Sequence, residues 1–76
     1  MWCYQYEDFE LFIKPDSRGR FTLWINGVPY GSFYKPDDAA VNVGCFVTDC
    51  AEWDALADQA VSVPSDLSGW SAITVK

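Results

Sequence analysis

A chain of 76 residues with a hydrophobic fraction of 50% is too apolar for disorder, yet small enough to leave a net stability of only a few kcal/mol. Eleven acids against five bases, a formal charge of −6 and no histidine argue against direct nucleic-acid binding, which depends on neutralising phosphates. They favour a basic partner instead. No apolar run approaches the ~18 residues of a membrane span, and the first residues lack the basic and apolar segments of a secretory signal, so a cytosolic protein is expected.

The N-terminal stretch WCYQYEDFELFIK alternates as a strand does, with one irregularity. Trp2, Tyr4 and Tyr6 occupy even positions, whereas Phe9, Leu11 and Ile13 occupy odd ones. A strand buries every second side chain on one face, so the register slips at Glu7-Asp8. A bulge or bend there would keep Phe9, Leu11 and Ile13 in the core and turn Trp2, Tyr4 and Tyr6 elsewhere. Two fates are open to those three rings. They anchor a partner, or they cover the second sheet face together with Phe12, Trp24 and Phe33.

Residues 9 to 14 and 20 to 25 read as antiparallel strands joined by the turn-rich Pro15-Asp16-Ser17-Arg18-Gly19 loop. Asn26-Gly27 is the dipeptide of a two-residue hairpin turn, because both central positions need positive φ. That turn pairs Ile25 with Val28, Trp24 with Pro29 and Leu23 with Tyr30. Pro29 lacks an N–H, which makes the strand over 28 to 33 an edge and sets the order 1-2-3, with any further strand beside the first. Gly31 is the expected bulge.

Pro36-Asp37-Asp38 opens a helix, with proline at the first helical position and two carboxylates where the macrodipole favours them. Extended to residue 49, that helix collects Ala39, Ala40, Val43, Phe46, Val47 and Cys50 in a stripe about 120° wide, and places Val41 and Cys45 opposite it. Beyond Asp49, Trp53, Leu56 and Ala60 suit a short helix, Pro64-Ser65-Asp66 a turn, and Trp70 to Val75 a last strand. The expected architecture is α+β, one domain over residues 1–76: a small antiparallel sheet packed by one main helix.

Lysine and arginine occur only at Lys14, Arg18, Arg20, Lys35 and Lys76, while residues 36 to 75 carry seven acids and no base. The predicted topology gathers Lys14, Arg18, Arg20 and Lys35 at one end. It sends Glu7, Asp8, Asp49, Glu52 and Asp54 to the other, beside Trp2, Tyr4 and Tyr6. Such an acidic pole is either an ordinary solvated surface or a contact surface for a basic protein or nucleoprotein complex, where complementary charge raises association rates.

Catalytic and metal chemistry find little support. Without histidine the common nucleophilic triads are missing, and Asp37-Asp38 is better explained by the helix dipole than by acid–base work. No CxxC pair, calcium loop or phosphate loop occurs, so neither metal nor cofactor is expected. Three cysteines, Cys3, Cys45 and Cys50, cannot all close internal disulfides. Cys45, opposite the core stripe, is the thiol expected to link two copies into a homodimer under oxidising conditions.

In whole-chain character the sequence resembles the small acidic proteins carried by phages and mobile elements, among them anti-CRISPR proteins. The traits that carry this resemblance are its length, its acidity, a compact sheet with the helix starting at KPDDAA, and aromatic residues near carboxylates. It implies a non-enzymatic inhibitor acting in the host cytosol, a DNA mimic bound to Cas proteins of a CRISPR surveillance complex in a basic channel meant for DNA. No binding residue transfers with it. The competing class is a cellular accessory or regulatory module that self-associates or binds an operon partner.

Overall fold

Two short hairpins set the architecture of the computed structural model, which describes residues 1–59 and 63–73. Asn26 and Gly27 have φ of 51° and 81° and turn the chain from β3 (Phe21–Ile25) into β4 (Val28–Phe33). Ile25 faces Val28 and Trp24 faces Pro29, as the turn dictates. The register then shifts, and Leu23 faces Gly31 rather than Tyr30. The extra residue of the bulge is therefore Tyr30, not Gly31. It leaves the ladder and turns toward Cys50, whose sulfur holds the phenol above its usual pKa.

The irregularity at Glu7-Asp8 is not a bulge but a reversal of the chain. β1 (Trp2–Tyr6) ends there, Glu7 takes a φ of 52°, and β2 (Phe9–Pro15) returns antiparallel with Tyr6 opposite Phe9, Tyr4 opposite Leu11 and Trp2 opposite Ile13. Across a two-residue turn an even position pairs with an odd one, so both sets of side chains share one face. The expectation that Trp2, Tyr4 and Tyr6 leave the core face is thereby corrected: all three pack against the core. Glutamate in the left-handed region costs about 1 kcal/mol that glycine does not. Glu7→Gly is expected to raise stability by about 1 kcal/mol in urea titrations, and a loss would contradict this turn.

The five strands form one antiparallel sheet in the order β4-β3-β2-β1-β5, with β5 (Ser71–Ala72) beside Trp2 and Cys3. Met1 adds two backbone hydrogen bonds to Ile73, which fastens the two segments together. Of the last strand expected over 70 to 75, residues 74 and 75 lie outside the described residues, as does Ala60 of the expected short helix.

One face of this sheet carries the core. Leu11, Ile13, Leu23 and Ile25 are buried under α1 (Pro36–Gly44), which presents Ala39, Ala40 and Val43. Small side chains let the helix approach the sheet closely. Phe33, opposite Phe21, belongs to this face too, rather than to the second face with Phe12 and Trp24.

The helix stops at Gly44, five residues short of its expected end. A Cβ at Gly44 would lie 2.6 Å from the Ser65 Cα, so glycine is required where the C-terminal segment crosses. Phe46 and Asp49 then adopt positive φ, and α2 (Ala51–Asp54) restarts the helix in a new direction. Val47, expected in the buried stripe, is 60% exposed as a result. Trp53 fills the space so created: its ring stacks on Phe46, meets Tyr6 and Phe9 edge-on, and its Nε1 donates to the Val43 carbonyl at 3.1 Å.

Candidate functional site

At one end of the sheet the two hairpin turns lie side by side. The Glu10 N–H donates to Asn26 Oδ1, and the Asn26 N–H donates back to the Glu10 carbonyl, each at 2.8 Å. The aromatic contacts of Trp53 with Tyr6 and Phe9 bring α2 to the same end. Glu7 and Asp8 are exposed in the first turn, and Asp49 and Glu52 are exposed around the start of α2.

Asp54 has a different role. Its carboxylate accepts hydrogen bonds from the Thr48 N–H and hydroxyl and from the Asp49 N–H, at 2.8–3.0 Å. This closes the strained turn between the two helices. Its oxygens are occupied internally, so it does not belong with the contact acids. Trp2, Tyr4 and Tyr6 are half-buried on the core face, where their rings engage Phe21, Trp70 and Trp53 respectively.

The opposite end holds Lys14, Arg18, Arg20 and Lys35 around the loop after β2 and the entry to α1. Asp37 and Asp38 lie there as well, exposed in the first turn of α1, while Asp16 accepts from the backbone N–H groups of Arg18 and Arg20. Those two bonds, Arg20's first, hold the Asp16 carboxyl below the usual range. Its contribution to stability is therefore present above the unfolded-state pKa and is lost as pH falls through the folded one.

The second sheet face has no element packed on it among the described residues. Pairings of Cys3 with Phe12, Phe12 with Trp24, and Trp24 with Pro29 set these four side chains in one rung across β1 to β4. Gln5 and Glu10 flank the rung on the hairpin side, and Lys14, Thr22 and Ser32 on the other. The Lys14 ammonium lies 5.0 Å from the Phe12 ring centroid and 5.2 Å from that of Trp24. The sequence already sets Phe12 and Trp24 on the second face and, through the Asn26-Gly27 register, Trp24 opposite Pro29; the place of Cys3 in the same row is what the structure adds.

The outer edge of β4 is blunted. Pro29 offers no N–H, and the Ser32 carbonyl accepts from Arg20 Nη2 at 3.1 Å while the same guanidinium lies over the exposed Tyr34 ring. All three cysteines are free thiols: Cys45 exposed, Cys3 half-buried on the second face, Cys50 buried. Among the described residues no three histidine, cysteine or acidic side chains converge as a metal site, and no helix is long and apolar enough to cross a membrane.

No family model matches the chain, and no curated protein or solved structure matches it at a significant level.

Proposed function

We propose that this chain works by binding another protein rather than by catalysis, and that its hairpin end meets a basic surface. The observation that supports this reading is the uneven layout of charge: Asp16, Asp37 and Asp38 nearly balance the four bases at one end, and the other end is purely acidic. Glu7, Asp8, Asp49 and Glu52 are exposed at the hairpin end, whereas all the described bases, Lys14, Arg18, Arg20 and Lys35, sit at the other. An oriented field of this kind steers a charged partner into register and raises its association rate.

Within that reading, the chain is an inhibitor of the anti-CRISPR type, acting in the host cytosol. Its carboxylates take the place of DNA phosphates in the basic channel of a surveillance complex. A cellular accessory module that self-associates is the second reading, favoured by the uncovered aromatic rung of the sheet.

The test uses purified CRISPR surveillance complexes of several types, with target-DNA binding as the readout. Wild-type chain is expected to inhibit at least one, less strongly as salt shortens the ~8 Å screening length. Reversing Glu7, Asp8, Asp49 and Glu52 together to lysine should weaken inhibition about 100-fold, equivalent to about 2.7 kcal/mol, with the thermal unfolding curve unchanged. Asp54 is left intact, because its removal would disturb the fold. Inhibition that survives the reversal rejects the acidic contact, and a wild type inert toward every complex rejects the inhibitor.

A further inference from the structure

We propose that a second copy of this chain packs on the open sheet face, face to face, about a two-fold axis that runs across the strands along the Cys3, Phe12, Trp24 and Pro29 rung. This deepens the self-association reading and does not depend on the hairpin end binding a basic partner.

The pattern of the face is what selects a copy of itself. Strand pairing places an apolar rung between two polar rows; Arg20 is held over Tyr34 at the β4 corner of this face, and the paired positions carry one acid, Glu10, and one base, Lys14. Both are on β2, two residues to either side of Phe12. An interface built on a two-fold axis must be complementary to itself. Rotation about the rung lays Glu10 of each copy on Lys14 of the other, so the ion pair forms twice. Rotation about β2 instead would set Glu10 on Glu10 and Lys14 on Lys14, and like charges in contact oppose association.

The chosen axis also reverses the strands, bringing the acidic hairpin end of each copy over the Lys14, Arg18 and Arg20 end of the other. A strongly acidic chain can thereby meet itself without its acidic ends facing one another. Phe12 meets Phe12 and Trp24 meets Trp24 between sheets about 10 Å apart, the spacing and near-alignment of a β-sandwich. Lys14, which covers both rings in the single chain, moves to the partner's carboxylate. Pairing through the β4 edge is obstructed by Pro29 and by Arg20 on the Ser32 carbonyl.

Four strands about 4.8 Å apart and three alternate positions about 6.8 Å apart give a footprint of roughly 400 Å² per copy, about half that of a standard interface. The dimer is correspondingly weak, with a dissociation constant on the order of 100 µM.

Sedimentation equilibrium from about 10 µM to about 1 mM, at low ionic strength with reductant present and in a Cys45→Ser background, reads it directly. Wild type is expected to dimerise, and Glu10→Lys or Lys14→Glu alone to weaken the dimer at least tenfold. Glu10→Lys lowers the net negative charge, so a mere charge effect would strengthen association instead. The double swap should restore the dimer, and the two single variants mixed should associate although neither does so alone. Unchanged melting curves verify that all variants fold. A wild type that stays monomeric throughout, a dimer indifferent to both single reversals, or a double swap that fails to associate would each overturn the proposal.

Discussion

Trp53→Ala is expected to leave the chain largely unfolded at 25 °C. Trp53 is fully buried, and its ring meets those of Phe9, Phe46 and Tyr6 at centroid distances of 5.2, 5.6 and 6.1 Å. It is the residue that joins the β1–β2 hairpin to the segment after α1. Truncating a buried tryptophan costs about 3–5 kcal/mol, because the transfer energy is lost and a cavity remains. A domain of this size has only a few kcal/mol in reserve.

Far-UV circular dichroism and urea titration measure the loss. Trp53→Phe separates its parts: the ring contacts largely persist, while the Val43 carbonyl loses one of its donors and keeps the Phe46 N–H at 3.2 Å, at a cost of about 0.5–1.5 kcal/mol. A Trp53→Ala chain within about 1 kcal/mol of wild type would mean that this aromatic cluster does not hold the two halves together.

The contrast between the two hairpins shows what the sequence made legible. Asn26-Gly27 could be read because its residues accept positive φ readily, so turn, register and the Pro29 edge followed from two letters. Glu7-Asp8 makes a reversal of the same length without such chemistry, and Glu7 is held in the left-handed region by the pairing on either side of it. The signal was nonetheless present. Phe21, Leu23 and Ile25 pass from odd positions to Val28 across Asn26-Gly27, and Tyr6 to Phe9 makes the same change of parity across Glu7-Asp8.

The helix end was hidden for another reason. The apolar periodicity runs on through Phe46 and Cys50, and both do pack inward. What stops the helix is the crossing of Ser65 over Gly44, a contact between segments distant in sequence. Its one local trace is Gly44 itself, a helix-terminating residue set within the apolar periodicity. The same hidden helix end masks the role of Asp54: by charge alone it belongs with the free acids, whereas a turn in need of an acceptor lies just before it.

Asp54→Ala tests that assignment, and is expected to cost about 2–3 kcal/mol, or about 10–20 °C in Tm for a domain of this length. Thr48 is only 3% exposed, so its N–H and hydroxyl have no water to turn to once the carboxylate is gone. Hydrogen bonds to a charged acceptor contribute about 1.5–3 kcal/mol, and an orphaned buried donor costs about 1–3 kcal/mol. The Asp49 N–H loses its partner as well, in a turn already held at a φ of 71°. Asp54→Asn, which keeps one acceptor oxygen without the charge, should lose about half as much. Glu52→Ala, which gives up only a long hydrogen bond from the Cys50 thiol, should stay within about 0.5 kcal/mol of wild type, and Asp49→Ala should lose up to about 1 kcal/mol, because alanine tolerates a φ of 71° less well than aspartate. Thermal denaturation of the four variants ranks them. If Asp54→Ala melts with Glu52→Ala, the carboxylate does not close this turn and Asp54 returns to the set of free acids at the hairpin end. If it melts well below, any binding lost in an Asp54 variant reports on the fold of the surface, and only Glu7, Asp8, Asp49 and Glu52 can report on its charge.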